Sequence, residues 1–475
     1  MTRFVTAGAL VCTLVLLGIS GPASSGGESG VTFDKPVQVS ADDNQSAAEP
    51  SIRSSPDGNL YIVAPTGLGG VRTEEGGQGG DLIWRSEDQG KTWTYLGSYD
   101  QLVGGGDADI ASDMKGDLWG SGLTLANTTA TFSADNGETW CVNPIGALST
   151  LDDRQWIETY KDEPFAFMTT GQIAQRSIIL SRLELASAPP EDPTAGCPVV
   201  SNTVVVSEDD SYQWPGEVAV DPADDYVYVT YNTDEEKFRH DKIVVTRSDL
   251  TLTENKRFVV TTTTGDSFDS FTVVDVDAAG NVYALWNERR PEGPKGRRGK
   301  THTYVSVSKN HGQAWSTPVK VNDYPQTTVF PWLVAGDKGR VAIAYYGIRH
   351  TGPSPEEVVL PGRRLPAWKV FVSYSLNATA ANPKYTEVQA VPKWIHKGNV
   401  CTSGTGCASG TRDLLDFFQV DLDACGRIVI TYTDNSRDVV TQDGVRTTNE
   451  PEYIYFVGQK DGPRFYTEPI NSDVC

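Results

Sequence analysis

The chain has 475 residues, 38% of them hydrophobic, with 62 acidic against 40 basic side chains and a net charge of −22. That balance argues against nucleic acid or an anionic membrane as the principal partner, and by itself it names no substrate. A chain this long ordinarily divides into two or more domains unless an internal repeat absorbs the length.

The first residues, MTR, precede the apolar run AGALVCTLVLLGI and then small residues. Residues 1–23 read as a secretory signal cleaved after Ala23, because the run is too short and wrongly flanked for a membrane span. Residues 24–31 read as a flexible leader. The mature protein is expected outside the cell, as a soluble monomer without membrane insertion. It keeps Cys141, Cys197, Cys401, Cys407, Cys425 and Cys475, and an even set outside the cell favours disulfides. Cys401 and Cys407 bracket the tight loop CTSGTGC and are the favoured pair. Cys141–Cys197 and Cys425–Cys475 follow by proximity among the pairings that six cysteines allow.

From residue 57 onward one pattern recurs, a turn leading into an apolar strand rich in Val, Ile and Tyr. It appears as DGNLYIVA (57–64), KGDLWGSG (115–122), DEPFAFMT (162–169), DDYVYVTY (224–231), AGNVYALW (279–286), KGRVAIAYY (338–346) and CGRIVITY (425–432). Aligned on Leu60, Leu118, Phe165, Val227, Val282, Val341 and Ile428, the copies lie 47 to 87 residues apart. Helical periodicity is nearly absent. Repetition on this scale in a strand-rich chain means blades of four-stranded sheet around an axis. Residues 32–475 are therefore read as one all-β domain, a seven-bladed β-propeller, with a six-bladed ring as the alternative. Inner strands are expected to start near residues 50, 108, 155, 217, 271, 331 and 416.

Three segments, SEDQGKTW (86–93), SADNGETW (133–140) and SKNHGQAW (308–315), share Ser-x-Asp/Asn-x-Gly-x-x-Trp. The Asp or Asn can bond backbone N–H groups, Gly can take a positive φ, and Trp can pack beneath the blade. Asp88, Asp135 and Asn310 are thus expected to be structural, in turns between third and fourth strands, on the face opposite the inner-strand starts. DKPVQVS (34–40) resembles STPVKVN (316–322), the outer strand of blade five. It is expected to complete the last blade and lock the ring, with FYTEPI (465–470) as the competitor for that slot.

The first residues of the inner strands should line the mouth of the axis. They are Glu49 and Arg53, Asp107 and Asp109, then Asp153, Arg154 and Trp156. Trp214 and Glu217, Asp266 and Asp269, Phe330 and Trp332, and Arg412, Asp413 and Asp416 complete the ring. A sugar site wants this mixture: two carboxylates as acid and as base or nucleophile, arginine for anionic groups, and tryptophan faces for pyranose rings. Asp153, Glu217 and Asp269 are the candidate catalytic residues. Arg154, Arg412, Trp156, Trp214, Trp332 and Asp107 are the candidate substrate-binding residues. The structural alternative is that Asp153–Arg154 and Arg412–Asp416 are ion pairs pinning neighbouring blades.

The three octapeptides, together with DDRQWIETY (152–160) and GTRDLLDFFQVDLD (410–423), resemble segments of secreted bacterial propellers of the sialidase-like, Asp-box or BNR-repeat kind. The resemblance implies an extracellular glycoside hydrolase acting on sialic acids, and more widely a glycan or glycoconjugate as partner. It also implies a six-bladed ring, a three-arginine clamp, and a tyrosine nucleophile paired with a glutamate. Glu217 falls in a slot for that glutamate. The chain departs from the pattern elsewhere, with seven repeats, with PSIR ending at Arg53 in place of a Phe-Arg-Ile-Pro-like motif, and with Tyr324, Tyr345 and Tyr346 away from the tyrosine's place. A non-catalytic glycan- or protein-binding propeller is the alternative function, and a polysaccharide lyase with His350 or His396 as base is a third. Asp107, Asp109 and Asp153 offer oxygens of the kind calcium takes, but no loop has EF-hand spacing, and no cofactor is expected.

Overall fold

The computed structural model describes residues 30–475 apart from 42–46, 67–79, 101–103, 125, 188–195, 208–211, 235–240, 268–269, 293–296, 326, 350–354, 358–364, 403–410 and 438–451. The expected signal segment, most of the Gly-rich loop, Asp269, His350 and Cys407 therefore lie outside the described residues.

Seven antiparallel sheets stand in a ring, and each contributes one innermost strand to the axis. Those strands are Ser51–Ser54, Ala108–Ser112, Asp152–Thr159, Tyr212–Val220, Val273–Val276, Thr327–Ala335 and Val420–Leu422. The seven-bladed reading holds, and the expected starts fall within a few residues. The largest offset, at blade four, arises because that strand is nine residues long and carries a bulge between Pro215 and Val218. Among the described residues the helical content is two 3-10 turns, Pro355–Glu357 and Ser472–Val474. No helix among them is long and apolar enough to cross a membrane.

Burial follows position in the blade. Second strands such as Leu60–Pro65, Phe165–Gln172 and Val341–Ile348 are buried along their whole length, because neighbouring blades cover both faces. The outer strand Thr94–Ser98 is exposed or half-buried throughout. The three octapeptide turns share one hydrogen-bond pattern. Ser86 Oγ accepts from Gly90 N at 2.8 Å, and Asp88 Oδ1 accepts from Thr92 N at 2.8 Å. Ser133 with Asp135 and Ser308 with Asn310 repeat it. Gly90 has φ +85°, and a Cβ there would stand 2.0 Å from Phe456 of blade seven, so glycine serves both the turn and the blade contact.

The ring closes with the N-terminal segment. Val37–Gln38 and Thr32–Phe33 both pair with Tyr453–Asp461, in the register Val37↔Phe456 and Phe33↔Gln459. The competitor FYTEPI takes a different place. Phe465 is fully buried beneath the hairpins of blades six and seven, bonded to Gly426 and Asp337 through the backbone. From there the tail runs under the ring until Gln89 of blade one bonds the Val474 carbonyl. Disulfides join Cys141 to Cys197 and Cys425 to Cys475, with Cα separations of 5.1 and 5.5 Å. The first ties the outer strands of blades two and three, and the second anchors the tail.

Candidate functional site

Neighbouring inner strands are held together largely by side chains. Asp109 Oδ2 of blade two accepts from Ile157 N of blade three at 2.9 Å. Asp275 Oδ2 of blade five accepts from Ala335 N of blade six at 2.7 Å, and Asp421 Oδ2 of blade seven accepts from Ser54 N of blade one at 2.7 Å. Gln419, from blade seven, joins blades one and two, accepting from Ile52 N and donating to Asp109 Oδ1 at 3.0 Å each. An unpaired buried amide is costly, so each carboxylate satisfies a donor that no strand partner reaches.

Above these rungs the throat is filled by aromatic rings. Trp156 of blade three meets Trp332 of blade six at 6.2 Å and Phe271 of blade five at 5.0 Å. Trp332 meets Phe417 at 5.4 Å, and Phe271 stacks on Trp214 at 5.5 Å with 9° between planes. Rings from opposite sides of the propeller touch, so the axis is blocked at this level. Trp156 and Trp332 are 1% and 3% exposed. This corrects their expected role: they are the plug, and neither offers a face for a sugar. Trp214 is half-buried at the plug's edge.

Arg154 lies on this plug. Its guanidinium sits 3.7 Å from the Phe417 ring centre and 5.1 Å from that of Trp156. Nη1 is 2.8 Å from Asp107 Oδ1 and Nη2 is 3.6 Å from Glu49 Oε1, and the side chain is 3% exposed. Arg412 forks onto Asp416 at 3.0 and 2.6 Å and stays partly open to solvent. Asp416 N in turn donates to Glu49 Oε1 at 3.1 Å. Asp107, Arg154, Arg412, Asp416 and Glu49 thus form one network at the mouth. Burial, only partly offset by Arg154, holds the Glu49 carboxyl well above the usual range. Asp153 is exposed at the same mouth, where desolvation and then the Asp107 charge push its carboxyl up to about 6.

The backbone around the mouth is unusual. Glu49, Leu151, Arg154, Phe330 and Leu415, all at or just before inner strands, have φ between +52° and +68°. Non-glycine residues adopt this region at a cost of about 1–2 kcal/mol each, and such costs concentrate where side chains must be aimed. At Arg154 the twist accompanies a bulge between Asp153 and Gln155, which sends Asp153 outward and Arg154 onto the plug.

Glu217 is not at the mouth. It lies within the bulge of blade four and faces a separate channel of about 270 Å³ below the plug, with Arg53, Glu158, Asp275 and Asp421. Arg53 pairs with Glu158 at 3.0 Å. Burial and then Asp275 raise the Glu217 carboxyl well above its ordinary range, and Glu217 Oε2 has no hydrogen-bond partner. The expected catalytic pair Asp153 and Glu217 is therefore split between two chambers, while Asp269 lies outside the described residues. Asp266 caps Arg289 at 3.2 Å. His396 is 1% exposed and bonds Asn435 at 2.9 Å, so it braces a loop rather than facing the mouth as a base. Asp107, Asp109 and Asp153 do not converge on one point: Asp109 turns into the wall between blades. Phe271, Phe417, Glu158, Asp275 and Asp421 were absent from the sequence-derived set. A signal existed for the last two, since TVVDVDAAG and FQVDLDACG repeat one Asp-x-Asp ahead of the hairpin.

Fold and mouth together define a seven-bladed β-propeller with a plugged axis and a polar dish on one face. No protein-family model and no curated protein sequence matches the chain. Among solved structures it is similar to a protein of unknown function from Dyadobacter fermentans, with 14% identity over 91% of this chain and 99% of that one, at a TM-score of 0.48. An ulvan lyase bound to its oligosaccharide is similar at 11% identity over 88% and 95% of the two chains, with a TM-score of 0.44. An α-L-arabinofuranosidase from Fusarium graminearum gives 13% identity over 75% and 98%, also with a TM-score of 0.44. Likenesses this distant bear on neither activity nor substrate.

Proposed function

We propose that the protein is an extracellular carbohydrate-active enzyme working at the axial mouth, with Asp153 donating a proton to a glycosidic oxygen. Arg412, with Asp107 and Asp416, orients a polar or acidic sugar beside it. Asp153 carries this reading. It stands at the mouth with its carboxyl pushed up to about 6, so it holds a transferable proton in mildly acidic surroundings where an ordinary aspartate would not. The plug beneath makes the mouth a dish that accepts a chain end or a surface glycan rather than a strand threaded through the ring. A second reading, a glycan-binding propeller without chemistry, is favoured by the saturation of both arginines with ion pairs.

A panel of sialosides, uronic-acid glycans and neutral oligosaccharides tests the proposal. Turnover is expected, falling as the pH rises through about 6 because the acid must be protonated. Asp153→Asn should lower kcat roughly 10²–10⁴-fold, with an unchanged melting temperature. Glycan binding without turnover, kept in Asp153→Asn, would establish the second reading instead.

A further inference from the structure

At the base of the ring, between blades four and five, three side chains from separate segments face one another. Asp221 and Asp224 lie in the hairpin between the first two strands of blade four, and His311 lies in the octapeptide turn of blade five. His311 Nδ1 stands 4.0 Å from Asp221 Oδ2 and 3.8 Å from Asp224 Oδ2. The three donor atoms lie within 4.8 Å of one another. Two atoms bound to one cation at about 2.1 Å are at most about 4.2 Å apart, so a small inward movement completes the geometry.

The independent sign of a ligand is Asp221 itself. Its side chain is fully buried, its Oδ1 accepts from Ala223 N and Asp224 N, and its Oδ2, aimed at His311, has no hydrogen-bond partner. Two other hairpins of the same ring show how this oxygen is otherwise satisfied. Asp423 Oδ2 accepts from Arg427 Nε at 2.6 Å. Asp277 Oδ2 accepts from Asn281 Nδ2, Tyr283 Oη and Gly339 N. In blade four the donor position of Asn281 and Arg427 is held by Tyr226, whose ring instead meets His311 at 5.5 Å. The hydroxyl of Tyr228, counterpart of Tyr283, is unbonded too. His311 Nδ1 likewise lacks a hydrogen-bond partner, while its carbonyl is fixed by Arg247 Nη1 at 3.0 Å. Gly280, from a third segment, keeps the space open: a Cβ there would stand 3.0 Å from Asp224 Oδ2.

We propose that Asp221, Asp224 and His311 bind a divalent transition cation of the zinc class and staple blades four and five at the base. One imidazole nitrogen with two carboxylate oxygens, leaving room for water, suits Zn²⁺ better than Ca²⁺ or Mg²⁺, which take oxygen donors in larger number. The site is remote from the mouth and does not depend on the function proposed for it.

The mature protein, stripped of metal, is titrated with Zn²⁺ by calorimetry and with Co²⁺ by visible absorption. One equivalent should bind, raise the melting temperature, and give Co²⁺ bands of low-coordinate N/O type. His311→Asn copies blade two, where Asn136 holds the same turn position at φ +59°, so that variant should fold. It should weaken Zn²⁺ at least tenfold without moving the metal-free melting temperature. Asp224→Asn, at an exposed carboxylate, should do the same. Absence of stoichiometric Zn²⁺ binding, affinity in both variants equal to that of the parent, or one equivalent of Ca²⁺ bound in preference to Zn²⁺ would each overturn the proposal.

Discussion

Aspartates of the octapeptide turns and aspartates along the axis do opposite work. At the base, Asp88 and Asp135 bond only within their own octapeptides, through Ser, Thr and backbone amides at most four residues away. Along the axis, Asp109, Asp275 and Asp421 accept amides that lie 48, 60 and 367 residues away in the chain, each on a neighbouring blade. The first kind makes a blade and the second kind makes a ring. A local bond can be copied with its repeat, whereas a bond between blades depends on what the next copy presents.

The sharpest way to break this contrast is to open the ring. Deleting residues 30–40 removes the strands paired with Tyr453–Asp461 and leaves that edge bare. Loss of a folded monomer is expected by gel filtration and thermal melting. A truncated monomer melting within about 2 °C of the parent would show that the axial bonds alone close the circle.

Next come the two arginines of the mouth. Arg154→Ala strands Asp107 and Glu49 in a buried setting and should cost about 3–5 kcal/mol in denaturant unfolding. Arg412→Ala removes a half-exposed pair and should cost about 1 kcal/mol or less. Equal losses would mean that burial does not separate their roles. A smaller effect concerns protons. Burial pushes the Asp275 carboxyl up to about 7, above its unfolded value near 4. The stability this proton confers is fully present below the unfolded value and is lost as pH rises through about 7. Asp275→Asn should flatten the melting temperature against pH across that window. A slope unchanged in the variant would assign the proton elsewhere. Of similar size to the Arg412 effect, Asp88→Ala should cost about 1 kcal/mol and leave ligand binding at the mouth untouched. A larger loss would show that the turn reaches beyond its own blade.

The same contrast explains what could be read in the sequence. Blade number, strand boundaries, the octapeptide turns and the N-terminal closing strand all have local or repeated signatures, and each was legible. The mouth was legible as a region but not residue by residue. Trp156 and Trp332 look like sugar platforms in sequence, yet rings from opposite blades meet and bury them. Glu217 drops below the plug at a bulge whose sequence marker is the Pro215-Gly216 pair inside the strand, a pair that sets the bulge's place but not which way Glu217 turns. Arg154 is turned inward by a left-handed backbone that its own sequence does not announce.

Blade seven, finally, has a consequence for how the molecule is made. Its outer strands come from residues 32–38 and its inner three from the last blade's worth of chain, so Val37 must wait for Phe456. Joining ends so far apart carries a loop-closure penalty of roughly 5 kcal/mol, met only when the final blade has emerged. Until then six blades stand as an open arc with an unpaired edge. The segment made first is the last to be paired, and its arrival turns a string of separate sheets into one cooperative object.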